Sequence, residues 1–88
     1  MNTKEKNIAL QCLKDAQQAI ESLEEEWTKA FKAGQPSEEL DQQFDKLLAK
    51  RRGIETLMID LGIKFDRKDY RHTDLNGNTS VHTMFYLV

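Results

Sequence analysis

Cysteine, proline and glycine are scarce in this 88-residue chain, which has one Cys, one Pro and four Gly. The single cysteine, Cys12, excludes an internal disulfide and a cysteine-built zinc site within one chain. It flanks an apolar seam and is expected to be a small buried apolar residue. No apolar run approaches the ~18 residues of a membrane span, and the opening MNTKEKNIALQCLKD lacks the apolar stretch of a signal peptide. A cytoplasmic protein with no membrane partner is therefore expected.

Charge of one sign is missing too. The formal net charge is −2, from 13 basic and 15 acidic side chains. Residues 1–33 and 37–62 are mildly acidic and residues 63–88 mildly basic. A general nucleic-acid binder is usually far more basic. No nucleophile–base pair and no Gly-rich phosphate loop occurs, so neither enzymatic activity nor a cofactor is expected. Eighty-eight residues make one domain, 1–88, which buries only about 60–65% of its unfolded surface and has a marginal core.

What is present is periodicity. Ala9, Leu13, Ala16, Ile20, Leu23, Trp27 and Ala30 are spaced 4-3-4-3-4-3, the seam of a helix that packs lengthwise, coiled-coil fashion, on another helix. A second seam follows with the same spacing: Leu40, Phe44, Leu47, Arg51, Ile54, Met58 and Leu61. Asn2 or Thr3 can cap the first helix, Gly34 can close it, Pro36 suits the first turn of the second, and Gly62 stops it. The short link makes the two helices antiparallel. The register places Trp27 near Phe44, Leu23 near Leu47 and Leu13 near Leu57, with Glu21 or Glu24 reaching Lys46, Lys50 or Arg51. Trp27 is expected to be a core anchor. Arg51, on the seam, should lay its stem across it and send its guanidinium to Glu21 or Gln17. Lys50-Arg51-Arg52, beside Gly53, is the alternative: a patch for an anion or a partner.

After Gly62 the helical period ends. Asn76-Gly77 between two extended runs signals a β-hairpin. A two-residue turn pairs Phe65 with Val88; a three-residue loop pairs Phe65 with Leu87 and Tyr70 with His82. The second run carries Val81, Phe85 and Leu87 on one face and His82, Met84, Tyr86 and Val88 on the other, so both faces are apolar. The expected fold is α+β: a long antiparallel helical hairpin at about 4–33 and 37–61, then a C-terminal β-hairpin at about 64–73 and 79–87. An all-α hairpin with an irregular tail is the runner-up.

His72 and His82 with Asp69 or Asp74 lack any recognised metal-ligand spacing, and the Asp74–Asn78 stretch lacks the glycine and bidentate glutamate of a calcium loop. No metal site is expected. Lys64, Arg67, Lys68 and Arg71, interleaved with Phe65 and Tyr70, carry the pattern of a single-stranded nucleic-acid platform, with cations for phosphates and rings for bases. Asp66 and Asp69 weaken it.

These features point to a non-enzymatic protein-binding module, a small adaptor or inhibitor that occupies a partner's surface. Its size and composition resemble the small accessory proteins of bacteria, phages and mobile elements. The candidate contact residues are Met84, Phe85 and Tyr86 on the terminal strand and Lys50, Arg51 and Arg52 on the second helix. A nucleic-acid-associated accessory protein using Lys64, Arg67, Lys68 and Arg71 is the second reading, and a structural self-assembly protein the third. Two helices cannot cover each other's broad apolar faces, so a homodimer or a tight partner complex is expected.

Overall fold

Two Asx- and Ser-type caps start the helices where the sequence offers them. The computed structural model describes residues 2–35 and 37–88. The helix α1 spans Thr3–Lys32, and its cap Asn2 accepts a hydrogen bond from Glu5 N at 2.8 Å. The helix α2 spans Glu38–Asp60, and Ser37 Oγ accepts from Leu40 N at 3.4 Å. Such side-chain acceptors satisfy N–H groups that the first turn leaves free. The placement of Pro36 expected from the sequence lies outside the described residues.

Both helices end on the same pair of reversed bonds. At the close of α2, Gly62 N donates to Ile59 O at 3.0 Å and Ile63 N to Met58 O at 2.9 Å. Gly62 sits at φ +75°, the left-handed conformation that this motif needs and that L side chains resist. The turn carries Ile63 back onto Met58, and both are buried. A helix stop thereby delivers a core residue.

The strands β1 (Phe65–Thr73) and β2 (Thr79–Leu87) form an antiparallel hairpin with Phe65 opposite Leu87 and Tyr70 opposite His82. This is the three-residue-loop alternative. Asp74 N donates to Asn78 O and Gly77 N to Asp74 O, while Asp74 Oδ1 accepts from Asn76 N and Asn78 N at 2.9 Å each. Gly77, at φ +80°, fills the left-handed position that ends such a loop. The α+β architecture is thus a helical hairpin followed by a β-hairpin, as its periodicities imply.

The elements make few neighbours. Among the described residues the backbone of α2 runs close to α1 alone, and the sheet approaches the helices along β2, with Phe65 of β1 adding a side chain to the core. The core forms where α1, the end of α2 and β2 converge: Leu10, Leu13, Met58, Ile63 and Phe85 are buried, with Ala9, Ile54, Phe65 and Leu87 around them. Phe65 meets Phe85 at 6.3 Å between ring centroids. Ala16, Ile20 and Leu23 continue the buried stripe along α1.

Several expectations from the seams are corrected. Trp27 is 39% exposed rather than a core anchor, because among the described residues only the two helices meet at that end. It stacks on the exposed Phe31 at 5.2 Å and donates its Nε1–H to Asp41 Oδ1 at 2.9 Å. Cys12, on a flank of the first seam, and Leu61, the last residue of the second, are exposed as well. Leu57 is also exposed, and Met58 takes its expected place beside Leu13. The Glu21/Glu24 ion pairs with Lys46, Lys50 or Arg51 do not form; among the described residues the basic side chain nearest Glu21 is His82, its Nδ1 3.7 Å from Oε2.

The result is a flat, extended molecule of 48 × 30 × 15 Å with a radius of gyration of 15.3 Å. A compact chain of this length would have about 12 Å. Its accessible surface is 6836 Å², about 1,500 Å² more than a folded monomer of this mass usually shows. That surplus is large for so short a chain.

Candidate interaction surface

The hairpin presents its two faces very differently. Side chains alternate along a strand, so Phe65, Thr83, Phe85 and Leu87 lie on the side that turns to α1, whereas Tyr70, His82, Met84 and Tyr86 lie on the other. Phe85 is buried to 1% exposure. It leaves the set of contact residues: a side chain that holds the sheet to α1 is closed to a partner. Met84 and Tyr86 remain open, about half exposed, with Tyr70 and the terminal Val88 on the same side. Lys68, opposite Met84 across the ladder, holds its Nζ 5.5 Å from the centre of the Tyr70 ring. The outer face is therefore a row of large half-apolar side chains with one cation lying along it. This mixture suits a protein contact, where aromatic and Met side chains contribute most of the affinity.

The basic candidates do not gather. Lys50 and Arg52 are exposed on α2, whose backbone runs close to neither strand. Arg51 between them is half-buried and committed, its Nη1 donating to Gln17 Oε1 at 2.8 Å across the helix pair. The sequence reading that sent its guanidinium to Gln17 or Glu21 matches this geometry. Its Nε is buried without an acceptor among the described residues. On β1 the alternation splits the other four cations: Lys64 and Lys68 fall on the outer side with Tyr70, while Arg67 and Arg71 fall on the opposite side. Phe65 turns inward toward Phe85. The four cations of this stretch and its two rings are therefore divided between the two faces.

A contact that sequence reasoning missed fixes the sheet to α1. Glu21, expected from the sequence to reach basic side chains of α2, sits at the border of the seam, and its Oε1 accepts from Thr83 N at 2.7 Å. Its Oε2 lies 3.7 Å from His82 Nδ1. Ser80 Oγ stands 3.3 Å from His82 Nε2 and 3.5 Å from His72 O. The order Ser80–His82–Glu21 has the outline of a nucleophile–base–carboxylate relay. However, the outer link exceeds hydrogen-bond distance, and His82 and Ser80 lie open to solvent. Its chemistry is that of a dock: a carboxylate satisfying an edge N–H, with an imidazole beside it. Neighbouring Glu24 is held above the usual carboxylate range, by burial first and by the negative charge of Glu21 second, with Arg51 opposing.

Beyond this dock, α1 and the far end of the hairpin diverge to leave an open groove of about 790 Å³, lined by Glu21, Glu25, Lys29, His72, Asp74 and Ser80 among others. Among the described residues no three His, Cys, Asp or Glu side chains converge on a metal position, and no helix is long and apolar enough to cross a membrane. No protein-family model, curated protein or solved structure matches the chain.

Proposed function

We propose that this chain is a non-enzymatic protein-binding module, a small adaptor or inhibitor that acts by laying the outer face of its β-hairpin on a partner. The observation that supports this most directly is the row Tyr70, Met84, Tyr86 and Val88, each roughly half exposed or more, on a sheet face that no element covers among the described residues. Large apolar side chains held on a rigid ladder lose little side-chain freedom when a partner covers them, which is what a contact surface requires. The exposed thiol of Cys12 favours a reducing compartment, consistent with action in the cytoplasm.

The test uses the whole chain carrying a photo-crosslinking side chain in place of Met84, with the same group in place of Glu25 as control. A protein captured from source-cell extract at position 84 and not at 25 is then purified and titrated against the chain. Met84→Ser with Tyr86→Ser should weaken that binding at least about a hundredfold, since two interface anchors are lost, with the helical signal unchanged. Undiminished affinity in the folded double variant refutes the reading.

A further inference from the structure

The two long edges of the hairpin are treated differently by the fold. Backbone bonds join Val88 N to Lys64 O at one end and Asp74 N to Asn78 O at the other. Ladder bonds therefore fall on the even-numbered pairs, and the N–H and C=O groups of odd-numbered residues point away from the partner strand. On β2 that outward edge lies beside α1, and Glu21 takes the Thr83 N–H. That edge is thus occupied at Thr83. On β1 no element lies alongside among the described residues. Its outward Arg67 N–H is met only by the carboxylate of its own neighbour, Asp66, at 2.7 Å.

An open nine-residue strand edge is a template for pairing, and charges on such an edge usually discourage it. Here they also select a register. We propose that β1 pairs antiparallel with β1 of a second copy of this chain, the two-fold axis passing between the two Tyr70 residues. Asp69 then faces Arg71 of the second copy, and Arg71 faces its Asp69. Arg67 faces Thr73 in each direction. These odd-numbered pairs are the ones whose N–H and C=O groups point outward, so the junction forms about eight backbone hydrogen bonds.

Neighbouring registers are penalised by like charges opposite one another. A centre on Lys68 sets Lys68 on Lys68. A centre on Asp69 sets Asp69 on Asp69 and Arg67 on Arg71. Centres on Arg67 or Arg71 set arginine on arginine. In the Tyr70 register the first like-charge meeting, Asp66 with Asp74, falls beyond the end of the strand. The product is a continuous four-stranded sheet, β2-β1-β1-β2, with an α1 guarding each outer edge. Part of the surface surplus of about 1,500 Å² per chain is covered in this way.

The experiment begins from Cys12→Ser, which removes the native thiol, with single cysteines introduced along β1. Tyr70 lies at a closely spaced pair across the axis, with Cα atoms about 4.5 Å apart, inside the range a disulfide bridges. Under mild oxidation Tyr70→Cys should form a covalent dimer at least tenfold faster than Lys68→Cys or His72→Cys alone. Those two sit opposite each other, so a mixture of the two chains should cross-link while neither does by itself. In light scattering the unmodified chain should be a dimer. Asp69→Arg and Arg71→Asp should each raise its Kd at least tenfold, and the two changes together should restore it.

A monomer at hundreds of micromolar, a Lys68→Cys chain that links to itself faster than Tyr70→Cys, or a double reversal that stays monomeric while folded overturns the pairing. So does a dimer whose Tyr70→Cys form does not cross-link. None of these results touches the binding test at Met84 and Tyr86, which stands or falls separately.

Discussion

Replacing Phe85 by alanine separates a residue that holds the fold together from one that meets a partner. Phe85 is 1% exposed, the bulkiest of the fully buried side chains, and the principal link between β2 and the core made by α1, α2 and Ile63. A phenylalanine of this kind removes about 150–250 Å² from water. At about 25 cal/mol per Å² that is ~4–6 kcal/mol, reduced toward 3–5 by burial already present in the denatured chain. Large-to-small core substitutions of this type cost about 3–5 kcal/mol. A domain of this length has only about 4–13 kcal/mol in all, and β1 adds only the partly buried Phe65 as a second attachment. Phe85→Ala should therefore release the sheet before the helices melt. Urea unfolding followed by helical circular dichroism, together with amide exchange at Thr83 and along the strands, measures both events. A loss below about 1 kcal/mol with strand amides still protected would refute the argument and return Phe85 to the contact surface.

Four further outcomes follow from the same geometry. Arg51→Met strands the buried Gln17 amide and should cost about 1–3 kcal/mol, most of it recovered when Gln17→Leu is added, as a double-mutant cycle will show. Glu21→Ala removes the acceptor of the Thr83 N–H and should cost about 1–3 kcal/mol, with faster exchange at Thr83 as its local signature. Trp27→Ala should cost only about 1–2 kcal/mol, since the ring is already two-fifths exposed and its bond to Asp41 is worth about 1; a loss above 3 in thermal or urea unfolding would show a core residue after all. The last concerns pH. Glu24 has its pKa raised in the fold, so the native state binds more protons than the unfolded one just above pH 4.5, and stability falls as pH rises through that window. Glu24→Gln should flatten this limb. Asp74 behaves oppositely: the Asn78 and Asn76 N–H groups hold its pKa down, so the turn loosens as pH falls below 3.8. Amide exchange at Asn76 and Asn78 reads it directly.

The helical hairpin was legible because its signals are local: two seams of constant spacing, a cap at Asn2 or Thr3, and glycines where the seams end; the cap at Ser37 came from the structure. The β-hairpin was legible from Asn76-Gly77, although the choice of register waited on the Asp74 side chain, whose two backbone bonds close the three-residue loop. Tertiary placement was not legible. Nothing near Glu21 announces that it will meet Thr83, 62 residues away, because a polar residue at the border of a seam looks the same whether it faces water or a strand edge. Both faces of β2 are apolar in sequence, and only the docking of Phe85 shows that Met84 and Tyr86 are the pair left outside. Trp27 misled for a related reason. Seam position implies burial only where enough chain exists to cover it, and two helices alone do not suffice at that end.

Between the end of α2 and the start of β1 lie four residues, Leu61–Lys64, one of which, Ile63, is itself anchored in the core. Each hairpin forms from contacts close in sequence, which favours fast, independent formation. Their union is then a first-order event between parts that stay within a few ångströms of each other. A tether this short holds a released sheet at an effective concentration in the millimolar range relative to its own α1. The α1 of another molecule competes for that sheet only at comparable protein concentrations. Exchange of hairpins between copies is thereby suppressed by the tether rather than by the strength of any contact, and lengthening it, not weakening the core, is the change that should promote swapped assemblies.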